Sequence, residues 1–149
     1  YNRKHFEDLL EQERHRADRY GGTFSLIMFD IDHFKRVNDR FGHHTGDDLL
    51  VRIPRLVDEH LRDSDNLARW GGEEFMLLLP HTEAHEAQPL AERLRRQVAE
   101  AGWTELPAVT LSLGVAQYRP GESADDLTRR VDDALYRAKA AGRDRVEIA

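Results

Sequence analysis

Cysteine is absent from the 149 residues, which excludes disulfides, thiolate zinc sites and cysteine nucleophiles. Long apolar stretches are absent as well. The longest uninterrupted runs, Phe75–Leu79 and Leu26–Phe29, fall far short of the roughly 20 residues that a membrane-spanning helix needs. No basic start followed by an apolar stretch marks a signal peptide. Basic residues are the minority charge: 22 Lys and Arg stand against 28 Asp and Glu, for a formal charge of −6. That balance disfavours general binding to a nucleic acid backbone, which asks for a basic face. Anionic ligands would then need local cations or metal ions. The first residue is Tyr1 rather than methionine, so the expectation is a single domain, residues 1–149, cut from a longer protein.

What is present is enough for one core, since domains commonly run to about 100–150 residues. Phe6, Leu9, Leu10 and Ala17 recur at helical spacing, predicting an amphipathic helix over 3–19 that ends at Gly21-Gly22. Residues 23–31 (TFSLIMFDI) read as a buried strand, and a short helix through Phe34 and Val37 closes near Gly42. Leu49, Leu50, Ile53, Leu56, Val57 and Leu61 form a helical face, with Pro54 inside it as an expected kink. Two strands, 66–70 and 73–79, flank Gly71-Gly72, which suggests a two-residue hairpin turn at positive φ. A third long helix carries Leu90, Ala91, Leu94, Val98 and Ala101; a strand follows over 109–117. Ser123 caps a last helix with Leu127, Val131, Ala134, Leu135 and Ala138 on its apolar face, and 146–148 makes an edge strand. The order α-β-α-α-β-β-α-β-α-β contains a hairpin, so the expected class is α/β (α+β), a mixed or antiparallel sheet of about five strands flanked by helices.

Three constellations carry possible chemistry. Asp30-Ile31-Asp32 ends a buried strand; a carboxylate pair there needs a cation such as Mg²⁺, or else both groups are simply solvated. Gly71-Gly72-Glu73-Glu74-Phe75 offers close backbone approach and a second acidic ligand, or else an ordinary hairpin. Lys139 and Arg143, four apart near a helix C-terminus, would clamp phosphates together or merely answer the helix dipole. Polyphosphate binding accounts for all three at once.

The segments FDIDHFKRVNDRFGHHTGDDLL, RWGGEEF, VTLSLGVA and DDALYRAKAAGRDRV, in that order, resemble the GGDEF domain of diguanylate cyclases in its GGEEF variant. The resemblance runs from NRKHF through nearly the whole chain. It implies a palm-like fold of the nucleotidyl-cyclase kind. It also implies that Asp30, Glu73 and the carbonyl of Ile31 hold metal, that Glu74 assists, and that Lys35 stabilises charge on the phosphates. Asn38 and Asp47 match the guanine readers, and His43 matches a position at the substrate pocket. Lys139 and Arg143 match a phosphate-contacting pair, and the backbone amides of His33 and Phe34 add phosphate donors.

The implied reaction joins two GTP molecules, one per domain of a two-fold homodimer, into cyclic di-GMP and two pyrophosphates. The implied cofactor is Mg²⁺, with Mn²⁺ able to stand in, and Glu73 doubles as proton acceptor. Arg62-Asp63-Ser64-Asp65 fits the RxxD of an inhibitory product site, with Arg93 as a secondary contributor. The resemblance further implies an upstream sensory or receiver domain, no nucleic acid partner, and a cytoplasmic location for the domain whether or not the full protein is tethered to a membrane. The competing reading is a catalytically silent module that binds GTP or cyclic di-GMP. Such modules usually lose the carboxylates that are kept here.

Overall fold

The computed structural model describes residues 2–103, 106 and 108–149. Its elements run α1 (Arg3–Tyr20), β1 (Phe24–Ile31), α2 (Phe34–Phe41), α3 (His43–Asp58), β2 (Asn66–Arg69), β3 (Glu74–Pro80), α4 (Ala84–Ala99), β4 (Leu111–Gln117), α5 (Ala124–Ala140) and β5 (Arg145–Ile148). This is the order read from the sequence. The five strands form one mixed sheet in the order β2-β3-β1-β4-β5. All pairings are antiparallel except β4 with β5. No helix is long and apolar enough to cross a membrane among the described residues.

Central strand β1 is buried along all eight residues, because helices cover both sheet faces. Alternation then sorts its side chains. Ile27, Phe29 and Ile31 pack with residues of α2, α3 and α4, among them Val37, Ile53 and Leu94. Leu26 and Met28 pack instead with Phe6 and Leu10 of α1 and Val131 and Leu135 of α5. Helix ends follow local chemistry. Asn2 caps α1 through the amide of His5, Gly21 ends it in the left-handed conformation, and Ser123 caps α5 through the amide of Asp126. Helix α3 continues through Pro54 to Asp58, so the proline does not end it.

One glycine sets how closely α5 lies on the sheet. A Cβ at Gly114 of β4 would stand 2.5 Å from the Leu135 nitrogen and 2.6 Å from the Val131 oxygen. Both are backbone atoms of α5, so only a residue without Cβ permits this contact. The close seat brings the C-terminal end of α5 up to the end of β1.

Two local expectations are corrected. Neither Gly71 nor Gly72 adopts positive φ, and the connection is wider than a two-residue turn. The pairing of β2 with β3 stops at Arg69 opposite Phe75, and the carbonyl of Glu74 accepts from both Trp70 and Gly71. The loop is held by Arg69, whose guanidinium donates to the carbonyls of Gly71 (3.3 Å) and Gly72 (2.7 Å). Nor do Lys139 and Arg143 share a helical face. Helix α5 ends at Ala140, and Arg143 lies beyond it at φ 64°. The amides of Gly142 and Arg143 fold back onto the carbonyls of Lys139 and Ala138, closing the helix with a Schellman turn.

Candidate active site

Asp30 lies near the end of the central strand, two residues past Met28, and alternation turns it towards α5. There it pairs with the ammonium of Lys139. Directly across the ladder stands Glu74, on the same face of the sheet. Burial raises the Asp30 carboxyl from 3.8 to about 6, with Glu73 and Glu74 adding to the rise and Lys139 opposing it. The next residue, Ile31, donates its amide to the carbonyl of Glu73 at 3.4 Å, which ties the glycine loop to the end of β1.

Asp32 has a different role from its neighbour. Its carboxylate is buried and accepts from Thr110 (2.7 Å), from Ser112 (2.6 Å) and from the amide of Asp144 (3.0 Å). It therefore staples β1 to β4 and to the turn that carries Arg143. Neither aspartate is solvated: Asp30 stands beside Lys139, and Asp32 is a structural anchor. His33 follows at φ 56° as the N-cap of α2, whose first amides have no acceptor within the helix.

These elements meet in a cleft of about 310 Å³ lined by Asp30, Ile31, His33, Phe34, Lys35, Glu73, Lys139 and Arg143, with Asp32 and Arg36. Eight residues singled out from the sequence thus come together from β1, α2, the β2–β3 loop and the end of α5. Asn38, His43 and Asp47 stand apart from this cleft, on α2 and the first turns of α3. Asp47 and His43 are exposed, while the side-chain oxygen of Asn38 is buried and has no hydrogen-bond partner. A buried polar atom without a partner is uncommon in a native fold.

Arg62 and Asp65 lie elsewhere, on a second cleft of about 570 Å³ between the end of α3 and β2. The Arg62 guanidinium bonds Asp65 at 3.1 Å, the carbonyl of Pro80 at 3.0 Å and the hydroxyl of Thr82 at 2.8 Å. Arg93 is exposed on α4 and lines neither cleft. Sequence reasoning missed Arg69 as the clamp of the glycine loop and Asp32 as the staple. An arginine two residues before a glycine pair carries no periodic signal, and an aspartate's hydrogen-bond partners some 80 residues away are not visible in sequence.

The donor set fits a divalent cation. Asp30 and Glu73 offer hard carboxylate oxygens and Ile31 a carbonyl at the same end of the sheet, while Lys139 and Arg143 supply positive charge beside them. Fold and cleft together define a class: an α/β domain with a largely antiparallel sheet that gathers acidic and basic groups where a metal-bound polyphosphate would sit. The pattern of the diguanylate cyclase GGDEF domain matches residues 1–145, and the chain belongs to that family. Diguanylate cyclase DgcM of Escherichia coli (strain K12) is 44% identical over 148 residues, which is 99% of this chain but 36% of that protein. The chain therefore spans little more than a third of that relative's length. The coiled coil and GGDEF domain of DgcB from Caulobacter crescentus, solved with c-di-GMP, has a TM-score of 0.94 at 35% identity and is covered for 81% of its length by 99% of this chain. The active GGEEF domain of a diguanylate cyclase from Vibrio cholerae has a TM-score of 0.94 at 36% identity, with 99% of this chain and 96% of that one covered.

Proposed function

We propose that this domain is a diguanylate cyclase that condenses two GTP molecules into cyclic di-GMP and two pyrophosphates. The observation that carries the reading is the cleft in which Asp30, Lys35, Glu73, Lys139 and Arg143 meet. Family membership and the c-di-GMP bound by the DgcB domain support it. Asp30, Glu73 and the Ile31 carbonyl would hold Mg²⁺, or Mn²⁺ in its place. When bound, the ion would neutralise phosphate charge and make the attacking hydroxyl more acidic.

The chain's own groups do the remaining work. Lys139 and Arg143 bind the outer phosphates, the first amides of α2 at His33 and Phe34 donate to phosphate oxygens, and Lys35 meets charge that grows at the α-phosphate. Glu73 accepts the 3′-hydroxyl proton, with Glu74 close by to assist. Asp47 accepts from the N1–H and amino group of guanine, Asn38 donates to an acceptor of the same base, and His43 closes the pocket. In each half-reaction a bond forms from a 3′-oxygen to an α-phosphorus, and the bond from that phosphorus to pyrophosphate breaks. Each domain holds one GTP, so two domains must face each other and a monomer cannot complete the ring. Arg62 and Asp65, with Arg93, form the product site through which cyclic di-GMP restrains the enzyme. A GTP-consuming domain works in the cytoplasm, under the control of an upstream sensory or receiver domain.

The test is to incubate the purified chain with GTP and Mg²⁺ over a range of protein concentrations and separate the products by chromatography. Cyclic di-GMP with specific activity rising with concentration is expected. GTP binding without product, even in a fusion to a strong dimeriser, would replace the cyclase by a binding module.

A further inference from the structure

Gly46 lies in the first half of α3, buried, with ordinary helical backbone. Nothing in that conformation calls for glycine, and alanine would hold the helix better. The reason for glycine is across the α2–α3 contact. A Cβ at position 46 would fall 1.7 Å from Oδ1 and 2.8 Å from Cγ of Asn38, and 3.2 Å from the ring tip of Phe34. The Asn38 oxygen therefore rests directly against the Gly46 Cα, and this is the same oxygen that is buried without a hydrogen-bond partner.

From this we infer that Gly46 is a specificity-determining positioning residue: it sets the amide of Asn38 with its donor nitrogen outward, to meet an acceptor on guanine. The inference rests on the reading of Asn38 as a base contact. Two observations support the orientation. An oxygen is tolerated against a Cα–H as a weak C–H···O contact, whereas an amide NH₂ turned onto the same group would set hydrogen against hydrogen. The Asn38 nitrogen, for its part, bonds no described residue, so its donors remain for a ligand. A donor facing the purine edge complements the O6 acceptor of guanine and opposes the amino group that adenine carries there. The clash created by a Cβ falls mainly on the end of a two-torsion side chain, so a methyl group would swing the amide away while leaving the backbone in place.

The experiment uses the chain with Gly46→Ala, Asn38→Ala and both together, titrated with GTP and ATP in the presence of Mg²⁺, alongside thermal melts. Gly46→Ala should weaken GTP about tenfold or more while ATP hardly changes, lowering the GTP-over-ATP ratio much as Asn38→Ala does. In the Asn38→Ala background the added methyl should change GTP affinity by less than about twofold. There it should also raise the melting temperature, because the helix gains alanine and the clashing amide is gone. Equal losses for both nucleotides, or a Gly46→Ala loss that adds in full to that of Asn38→Ala, would overturn the inference. A double variant that melts no higher than Asn38→Ala would also overturn it, by assigning the glycine to Phe34. If Asn38→Ala itself keeps its preference for GTP, the base-reading role of Asn38 falls and the role of Gly46 falls with it, even should the melting temperatures couple. A Gly46→Ala chain that does not fold while the double variant does still locates the clash at Asn38.

Discussion

Replacing Asp30 by asparagine should make the fold more stable while removing the carboxylate on which the proposed chemistry depends. Asp30 is 5% exposed, and burial lifts its carboxyl from 3.8 to about 6. At about 1.4 kcal/mol for each tenfold change in proton affinity, that difference amounts to about 3 kcal/mol. The native fold prefers the neutral acid, so this group's contribution to stability is fully present below pH 3.8 and is lost as the pH rises through about 6. The amide introduced by Asp30→Asn carries no charge at any pH and so escapes the loss. The variant should therefore exceed the wild type by about 3 kcal/mol at pH 8, of which about 2 kcal/mol develops above pH 4.5. For a chain of this length the melting temperature should rise by about 6–12 °C. Lys139, with 31% of its side chain exposed, can rehydrate when its partner becomes neutral. The assay is thermal unfolding followed by circular dichroism from pH 4.5 to 8 in the presence of a chelator, with every other titrating group common to both chains. A difference that stays constant with pH, or a wild type that is the more stable at pH 8, would refute the reasoning. Restoring Mg²⁺ at pH 8 should raise the wild-type melting temperature and leave the variant unmoved.

Gly114→Ala should destabilise the domain by about 2 kcal/mol or more, because the added methyl meets backbone of α5 that no rotamer change can relieve; urea unfolding measures it. Asp32→Ala strands the hydroxyl of buried Ser112 and frees the amide of Asp144, so a loss of about 2–4 kcal/mol is expected in the same assay, together with weaker GTP binding as the Arg143 turn loosens. Lys139→Met removes the cation beside Asp30; GTP affinity should fall about tenfold or more in calorimetric titration, and an unchanged affinity would remove Lys139 from the phosphate site. Arg62→Ala leaves the Asp65 carboxylate, its side chain only 3% exposed, without its guanidinium and frees the Pro80 carbonyl, so about 1–3 kcal/mol of stability should be lost, while turnover persists at cyclic di-GMP concentrations that silence the wild type.

Much of the fold is legible in the chain because the signals are local. The apolar face of α5, read from Leu127, Val131, Ala134, Leu135 and Ala138, is buried at all five positions. The Ser123 cap and the Gly21 stop stand where the sequence places them, since a cap depends on residues within one turn. The order of ten elements follows from where apolar periodicity changes from helical to alternating. The Gly71-Gly72 pair misleads for a physical reason: glycine permits positive φ without requiring it, and a guanidinium from Arg69 holds the loop in another shape. Lys139 and Arg143 have the spacing of one helical face, but spacing alone does not show that α5 ends at Ala140.

By itself the sequence determined the secondary structure, the buried stripes and the set of charged residues available for chemistry, because each of these depends on neighbours a few positions apart. Only the tertiary structure decided which charges meet. Asp30 and Lys139 are joined across 109 positions because alternation along β1 and the missing Cβ of Gly114 set α5 against that end of the sheet. Asp32, identical to Asp30 in side chain and two residues away, is instead bound by Thr110, Ser112 and Asp144. What separates the two aspartates is which distant donors the sheet brings within hydrogen-bonding reach.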